Sequence, residues 1–417
     1  MLRSEGRRTC RPVISRQPWV RLHRYIGLLT ALFLAVAGLT GSIIVFMPEL
    51  DTWLNPKLFR ATLSGTVSPV DTLVTEFERA HPALKVSSIR LPPAPGMSAY
   101  VFVTPRSGQP PPADDQYFLD PASGRVLGTR AYGAARLDAA HILPFLRRVH
   151  YSLHIPGVWG IWLMGYVALA WTLDCLIAFY LTLPRGRPFW RKWRPSWLLK
   201  TGAGSYRINL DLHRASGLWF WPVLALLALT SIALNLPDQV YRPVLSALLP
   251  TSPTLWEQPV PVSPSPFKVG FGETLSRARL EADRLGWESK PDIAFAIPEH
   301  SLYLVQFSTN QKAGFGASEM WIDGRTGVII RADRAGSGKA GDIVDDLVLP
   351  IHTGQVAGLA GRIIIFIAGI VIFVLALTGI YIWWRKRMPR VARRQRDAGS
   401  RLPRPEGEGG GAYAAAE

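Results

Sequence analysis

Four long apolar stretches restrict this 417-residue chain to a membrane-spanning fold. A helix that crosses a bilayer needs roughly 20 mainly apolar residues, and soluble buried helices of that length and apolarity are rare. The stretches run over about residues 25–47, 157–183, 215–236 and 363–384. The first has too long an apolar core for a cleaved signal peptide and no small-residue cleavage site after it. We therefore expect four transmembrane helices.

The positive charges predict the orientation of these helices. The net charge is +17, and Lys and Arg concentrate before the first stretch, between the second and third, and after the fourth. Segments rich in Lys and Arg stay in the cytoplasm, so both termini are expected there. The two long loops hold most of the acids and should lie on the opposite side. The basic excess then sets topology and contacts anionic lipid, and no nucleic-acid partner is expected.

The two halves of the chain resemble each other. The pattern Leu-His-Arg-x-x-Gly-Leu at residues 22–28 recurs at residues 212–218, each time before an apolar run. Thr40 and Thr230 keep the same offset of 190 residues, and a second correspondence, at 201 residues, relates the second apolar stretch to the fourth. This internal repeat predicts two copies of a unit made of a helix, an outer module and a second helix.

Each long loop shows the pattern of a small α+β domain. Apolar spacing predicts one helix after Ser68, a possible N-cap, and another over Glu273–Gly286. Strand-like segments follow each helix. They are Lys85–Leu91, Ser98–Thr104 and a hairpin over 116–127 in the first loop, and Asp292–Ala296, Leu302–Ser308 and a hairpin over 319–329 in the second.

The predicted fold class is membrane α-helical: a four-helix transmembrane bundle built from two repeats, each with a small periplasmic α+β module. The predicted order is a cytoplasmic basic tail (1–24), a first span (25–48), a first module (49–148), a second span (149–183), a cytoplasmic basic loop (184–212), a third span (213–237), a second module (238–350), a fourth span (351–385) and a cytoplasmic disordered tail (386–417). Pro222 should kink the third span.

Five of the eight histidines lie at predicted helix mouths. His23 and His213 occupy equivalent repeat positions on the cytoplasmic side, and His150, His154 and His352 lie on the outer side. A single interfacial histidine is more often a snorkelling side chain or a cap than a ligand. Paired placement favours ligation, because repeat-related packing would bring two histidines to the same depth. If its segment is helical, His154 shares a face with His150.

Two facing imidazoles in a helix bundle can hold a haem by both axial positions. One pair at each membrane face would give two haems and a route for electrons. No Cys-x-x-Cys-His sequence occurs, so such a haem would be bound non-covalently. Zinc or copper at the outer triplet of histidines remains an alternative, although it leaves the inner pair unexplained. Small residues in the spans would leave room for a porphyrin or allow close helix packing: Gly27, Gly38, Gly41, Gly165, Gly217, Gly369 and Gly379.

Three charged residues near these histidines each have two alternative roles, one functional and one structural. Arg24 and Arg214 directly follow the inner histidines. They could pair with haem propionates or serve as positive-inside anchors. Asp174 lies within the second span, where an ionisable residue is costly. It is either functional or bonded structurally to a hydroxyl of a neighbouring helix.

These motifs together resemble the PepSY-associated transmembrane proteins of bacterial inner membranes. The resemblance includes the repeated Leu-His-Arg-x-x-Gly-Leu and His-Tyr-x-x-His-x-Pro-Gly at residues 150–157. It also includes Leu-Pro-Ile-His-Thr-Gly at 349–354 and Leu-Thr-Gly-Ile-Tyr-Ile-Trp-Trp-Arg at 377–385. It covers about residues 18–388, and both outer modules look like PepSY domains.

The resemblance implies an inner-membrane function in iron uptake. The family includes ferric-siderophore reductases that bind two b-type haems in a four-helix bundle. By resemblance, His23 and His213 would ligate the inner haem, and His352 with either His150 or His154 the outer one. The substrate would be a ferric siderophore or other ferric chelate, and no catalytic residue is implied. The chain shows no flavin or nicotinamide motif, so electrons would come from a separate cytoplasmic or quinol donor.

Two other classes of function remain open from the sequence. In the first, the protein is a non-enzymatic membrane module whose PepSY-like domains bind peptides or a periplasmic protease, and the histidines are structural. In the second, it is a metal sensor or transporter that uses the outer histidines. Bound haem discriminates the electron-transfer hypothesis from both.

Overall fold

The computed structural model describes residues 15–61, 66–255, 265–308 and 314–399, with side chains up to Arg387. Its helices, in chain order, are α1 (Gln17–Ile44), α2 (Met47–Leu54), α3 (Pro56–Phe59), α4 (Val70–Ala80), α5 (Ile142–Ser152), α6 (Trp159–Thr182), α7 (Phe189–Trp193), α8 (Ser205–Trp219), α9 (Trp221–Asn235), α10 (Arg242–Leu248), α11 (Phe271–Arg284), α12 (Ala340–Thr353) and α13 (Gly358–Gly399). Its strands are β1 (Leu84–Arg90), β2 (Ala99–Pro105), β3 (Gln116–Leu119), β4 (Val126–Arg130), β5 (Pro291–Ile297), β6 (Leu302–Phe307), β7 (Glu319–Asp323) and β8 (Ile329–Asp333).

Long apolar helices identify the chain as a membrane protein. Within the described residues, α1, α6 and the segment Gln355–Arg387 are each long and apolar enough to cross a bilayer. The bent pair α8 and α9 brings the number of candidate spans to four if the pair counts as one span. Three of the four apolar stretches thus lie in single helices long enough to span a bilayer, and the third stretch lies in the bent pair.

The third stretch is bent at the predicted position. The axes of α8 and α9 differ by 68°. The break falls at Phe220, and Pro222 is the second residue of α9, where its missing N–H costs no hydrogen bond. Ser205 starts α8 eight residues before the predicted boundary at 213, so the end of the predicted basic loop is helical.

Other predicted boundaries also shift. Residues from Gln17 to Arg24, assigned to a tail, belong to α1. The predicted C-terminal tail begins at 386, but α13 continues to Gly399. The remainder of both predicted tails, residues 1–14 and 400–417, lies outside the described residues. Helix α4 begins at Val70 with Pro69 at its N-cap position, and Ser68 instead donates its hydroxyl proton to the carbonyl of Ala122.

The apolar helices pack through small residues. Gly38 of α1 and Gly369 of α13 lie so close that a Cβ added to Gly38 would be 2.6 Å from the carbonyl oxygen of Gly369. At the same contact, the Ser42 hydroxyl of α1 donates a hydrogen bond to the Phe366 carbonyl of α13, at 2.8 Å. On the other side, α6 packs against α9, and Cys175, Leu224 and Ala368 are buried in the apolar centre.

A methyl group at Gly38 is therefore expected to destabilise the bundle. Gly38→Ala would place its Cβ against backbone, which cannot rotate aside, and overpacking of this kind costs about 1–3 kcal/mol. Gly217→Ala is the matched control, because the nearest atom to its new Cβ would be Leu375 Cδ2 at 3.6 Å. Thermal unfolding of the two purified variants in detergent measures the difference, and equal midpoints would contradict this packing.

All eight strands form one antiparallel sheet with the order β4-β3-β2-β1-β5-β6-β7-β8. The strands of the two loops meet where β1 pairs with β5, with Ser88 opposite Phe295 and Ile89 opposite Ala294. Helices α4 and α11 cover one face, and Phe77, Phe271 and Val305 belong to the same core cluster. The two loops therefore share one sheet and one apolar core.

A buried ion pair connects this sheet to the first apolar helix. Helix α2 follows α1 after two residues, and its Asp51 accepts two hydrogen bonds from Arg130 at the end of β4, at 3.0 and 2.9 Å. The same guanidinium donates to Gln116 Oε1 at 2.7 Å and to the Ala140 carbonyl at 3.0 Å. These four hydrogen bonds use most of the five N–H groups of the guanidinium, which allows Arg130 to be buried at 2% exposure.

Candidate functional site

Two pairs of histidines face each other in the helix bundle. His23 of α1 faces His213 of α8, with ring centroids 6.3 Å apart and ring planes inclined by 55°. His150 of α5 faces His352 of α12, also with centroids 6.3 Å apart, at 60°. Four of the five predicted site histidines are thus brought together as two pairs of equal separation.

The pairs lie at opposite ends of α1. His150 Nδ1 lies 3.1 Å from Thr40 Oγ1 and 3.0 Å from the Ala37 carbonyl, near the end of α1 that leads to α2 and the sheet. His23 lies in the second turn of α1. The stretch of helix from His23 to Thr40 rises about 25 Å, which is close to the thickness of a bilayer's hydrocarbon core.

A threonine hydroxyl contacts Nδ1 of three of these histidines. His150 contacts Thr40, His352 contacts Thr230 at 2.9 Å, and His213 contacts Thr378 at 2.9 Å. Each hydroxyl already donates its proton to the carbonyl four residues earlier in its own helix. A hydroxyl that donates to its own helix has only lone pairs left for Nδ1, so this arrangement favours the tautomer with Nδ1–H and a lone pair on Nε2. This tautomer is the one in which Nε2 can ligate a metal.

His23 has a different partner. Its Nδ1 donates to Asp174 Oδ1 of α6 at 2.8 Å. The Asp174 side chain is 12% exposed. The partner of this intramembrane acid is therefore a histidine, not the hydroxyl considered in the structural reading of the sequence.

His154 does not join the second pair. Helix α5 ends at Ser152, and Leu153 and His154 both have positive φ, at 53° and 60°. This left-handed backbone turns His154 away from the face of His150, so its Nε2 lies 2.9 Å from the Gly133 carbonyl. The condition for a shared helical face, a helix that continues through His154, is not met, because α5 ends at Ser152.

The outer triplet considered for zinc or copper is not assembled. Among the described residues, no group of three or more His, Cys, Asp or Glu side chains could hold a metal ion. His150 is the histidine that faces His352.

The predicted small residues divide into two sets. Gly41 and Gly379 make room for imidazoles: an added Cβ would lie 2.9 Å from His150 Cε1 and 3.4 Å from His213 Cε1, respectively. Gly27 lies beside Asp174, where an added Cβ would be 3.8 Å from Oδ2. The other set lies at contacts between helices, namely Gly38 with Gly369, Gly165 with Leu236 and Gly217 with Leu375.

The two candidate arginines have different environments. Arg214 donates to Asp211 Oδ1 at 2.8 Å and to the Pro195 carbonyl at 2.7 Å. Its positive charge is therefore largely neutralised by the ion pair with Asp211. Arg24 lines an open pocket of roughly 700 Å³ together with Arg16, Arg21 and Arg185. None of the described residues that line the pocket is an acid, so this part of its lining is strongly cationic.

Comparison with known proteins identifies the relatives of this chain. A family model described as the PepSY-associated TM region matches residues 20–386. The chain belongs to this family. No curated protein sequence matches it significantly. The matched range of this PepSY-associated protein includes both histidine pairs and the sheet.

Sequence reasoning missed the three threonine partners of the histidines in this PepSY-associated protein. Thr378 lies in the Leu-Thr-Gly motif before the end of the fourth stretch and holds His213. Thr40 and Thr230 lie at equivalent positions of the repeat, which the sequence showed. Nothing in the sequence linked them to His150 and His352, which lie 110 and 122 residues away. Only the packing of α5 and α12 against α1 and α9 brings them together.

Proposed function

We propose that this chain is a b-type haem electron-transfer protein of the bacterial inner membrane that binds two haems. We further propose that it reduces a ferric siderophore or another ferric chelate on the periplasmic side. The observation that carries the proposal is the presence of two equally spaced histidine pairs at opposite ends of one apolar bundle.

The spacing within each pair suits axial ligation. An imidazole nitrogen lies about 2 Å from the metal it ligates, so two rings on opposite sides of one iron have centroids about 6 Å apart. The measured separation is 6.3 Å in both pairs. Threonine acceptors at Nδ1 of three histidines favour a free lone pair at Nε2, as such ligation requires.

Each residue then has a defined task. His23 and His213 would hold one haem, and His150 and His352 the other. Thr40, Thr230, Thr378 and Asp174 fix the direction of the four rings, and Gly41 and Gly379 leave space for two of them. Arg24 and its cationic pocket are suited to a haem propionate or another anion. One-electron transfer is the chemistry that haem supplies when bound.

The direction of transfer follows from the proposed topology. Within the described residues, the basic segments adjoin the end of the bundle that carries His23 and His213, and the positive-inside rule assigns that end to the cytoplasm. The sheet and the pair His150–His352 would then face the periplasm. This topology agrees with two repeats that each contribute a PepSY-like half of the sheet. A separate cytoplasmic or quinol donor would supply electrons, and reduction of Fe(III) to Fe(II) would loosen its hard oxygen ligands.

Reduction across a sealed membrane tests the proposal. The full chain is placed in lipid vesicles that contain a membrane-impermeant reductant, with a ferric chelate and a chromogenic Fe(II) chelator outside. Fe(II) should form outside, and His352→Ala should reduce the rate at least tenfold. His154→Ala is the matched control and should keep the rate, because His154 faces neither pair. No Fe(II) in any sample, or equal rates for wild type and His352→Ala, would contradict the proposal.

A second candidate is the non-enzymatic module that binds peptides or a protease. The sheet has edge strands, β4 and β8, and an extended peptide can add to such an edge. This function does not explain why the two histidine pairs have the same ring separation. It predicts a protein that binds peptide and carries no haem.

A further inference from the structure

The two histidine pairs differ in one hydrogen-bond acceptor. Three histidines donate from Nδ1 to threonine hydroxyls, whereas His23 donates to the carboxylate of Asp174. The correspondence between the second and fourth stretches places Leu375 at the position of Asp174. The carboxylate therefore breaks the repeat, and it does so at a depth where an ionisable residue is costly.

No other charge offsets this carboxylate in the described part of the chain. Its ion-pair partner is His23, and no Lys or Arg there forms an ion pair with it. The backbone of Gly27 passes beside Oδ2, where an added Cβ would be 3.8 Å away. The negative charge of Asp174 therefore acts chiefly on the His23 imidazole.

We propose that Asp174 is a positioning residue that lowers the reduction potential of the haem held by His23 and His213 below that of the haem held by His150 and His352. This inference rests on the proposed function. A hydrogen bond from Nδ1–H to a carboxylate is stronger than one to a neutral hydroxyl. It makes Nε2 a better electron donor to the iron and stabilises the ferric state, which lowers the potential.

The difference gives the transfer a direction. With the lower potential at the basic end and the higher potential at the sheet end, electrons flow downhill toward the sheet. Repeat symmetry alone would make the two histidines of each pair alike, whereas Asp174 gives one histidine of the basic-end pair a carboxylate acceptor that the other three histidines lack.

Redox titration of the purified full chain, followed by the haem absorption bands, tests this inference. Asp174→Asn should make reduction of one haem about tenfold more favourable, an upward shift of about 59 mV for one electron, and leave the other midpoint unchanged. Thr230→Val is the matched control at the other pair and should leave the lower midpoint in place. His352→Leu should retain a single haem, at the lower of the two wild-type midpoints.

The outcomes distinguish a failure of the proposed role of Asp174 from a failure of the proposed haem-binding function. Unchanged midpoints in Asp174→Asn with both haems bound, or a single high-potential haem in His352→Leu, would overturn the role of Asp174 alone. If Asp174→Asn loses a haem, Asp174→Glu restores the charge and should hold both haems near their wild-type midpoints, while the His352→Leu midpoint still decides the order. A wild-type protein without haem would instead refute the proposed function.

Discussion

Replacing His213 with alanine is expected to halve the haem content of the purified protein, from two per chain to one. The variant removes one axial ligand of the pair His23–His213 and leaves His150 and His352 facing each other 6.3 Å apart. Loss of the ring adds space beside Thr378 and Gly379 but introduces no clash, so the bundle should still insert. Haem extracted and quantified per chain measures the effect.

The matched control for this variant is His154→Ala, which should keep both haems. His154 lies outside both pairs and contacts the Gly133 carbonyl and Phe145. Size-exclusion profiles of both variants in detergent check that they remain folded. Full haem content in a folded His213→Ala protein would show that His213 is not a ligand.

Replacing Arg130 with alanine is expected to cost about 3–5 kcal/mol of stability, because it leaves the buried Asp51 carboxylate without its partner. The Arg130 and Asp51 side chains are 2% and 5% exposed. Their contact joins the end of β4 to the helix that follows α1, so its loss should also loosen the sheet from the bundle. Unfolding in detergent, followed by tryptophan fluorescence, measures the change.

An exposed ion pair of the same sheet provides the comparison for Arg130. Arg106 pairs with Glu78 at 2.6 Å, but its side chain is 43% exposed. Arg106→Ala should cost less than about 1 kcal/mol. The double variant Arg130→Met with Asp51→Leu should recover part of the loss, because it removes both buried charges. Equal effects of Arg130→Ala and Arg106→Ala would contradict a structural role for the buried pair.

Local sequence patterns predicted much of the fold. Apolar runs identified the long helices, strand-like segments identified six of the strands nearly to their ends, and Pro222 located the bend between α8 and α9. The joining of the two halves through β1 and β5 could not be predicted, because strands so far apart in the chain leave no local signal of their pairing. The buried bond between Asp51 and Arg130 was hidden for the same reason.

The candidate site was predictable where the repeat supplied information. Equivalent positions in the two halves indicated that His23 would face His213 and that His352 would have a partner. The choice of His150 over His154 depended on the end of α5, where Leu153 and His154 adopt positive φ without glycine. Residue propensities do not predict such a turn, because non-glycine residues rarely adopt a positive φ. The hydrogen-bond acceptors of the four rings depended on helix packing.

The most direct test of the two-haem proposal is a reduced-minus-oxidised absorption spectrum of the wild-type protein, purified from cells that make haem, with haem quantified per chain. We expect b-type bands and two haems per chain, since the rings of each histidine pair have the separation that axial ligation needs. A folded protein that carries no haem would contradict the electron-transfer function and leave peptide binding at the sheet as the alternative.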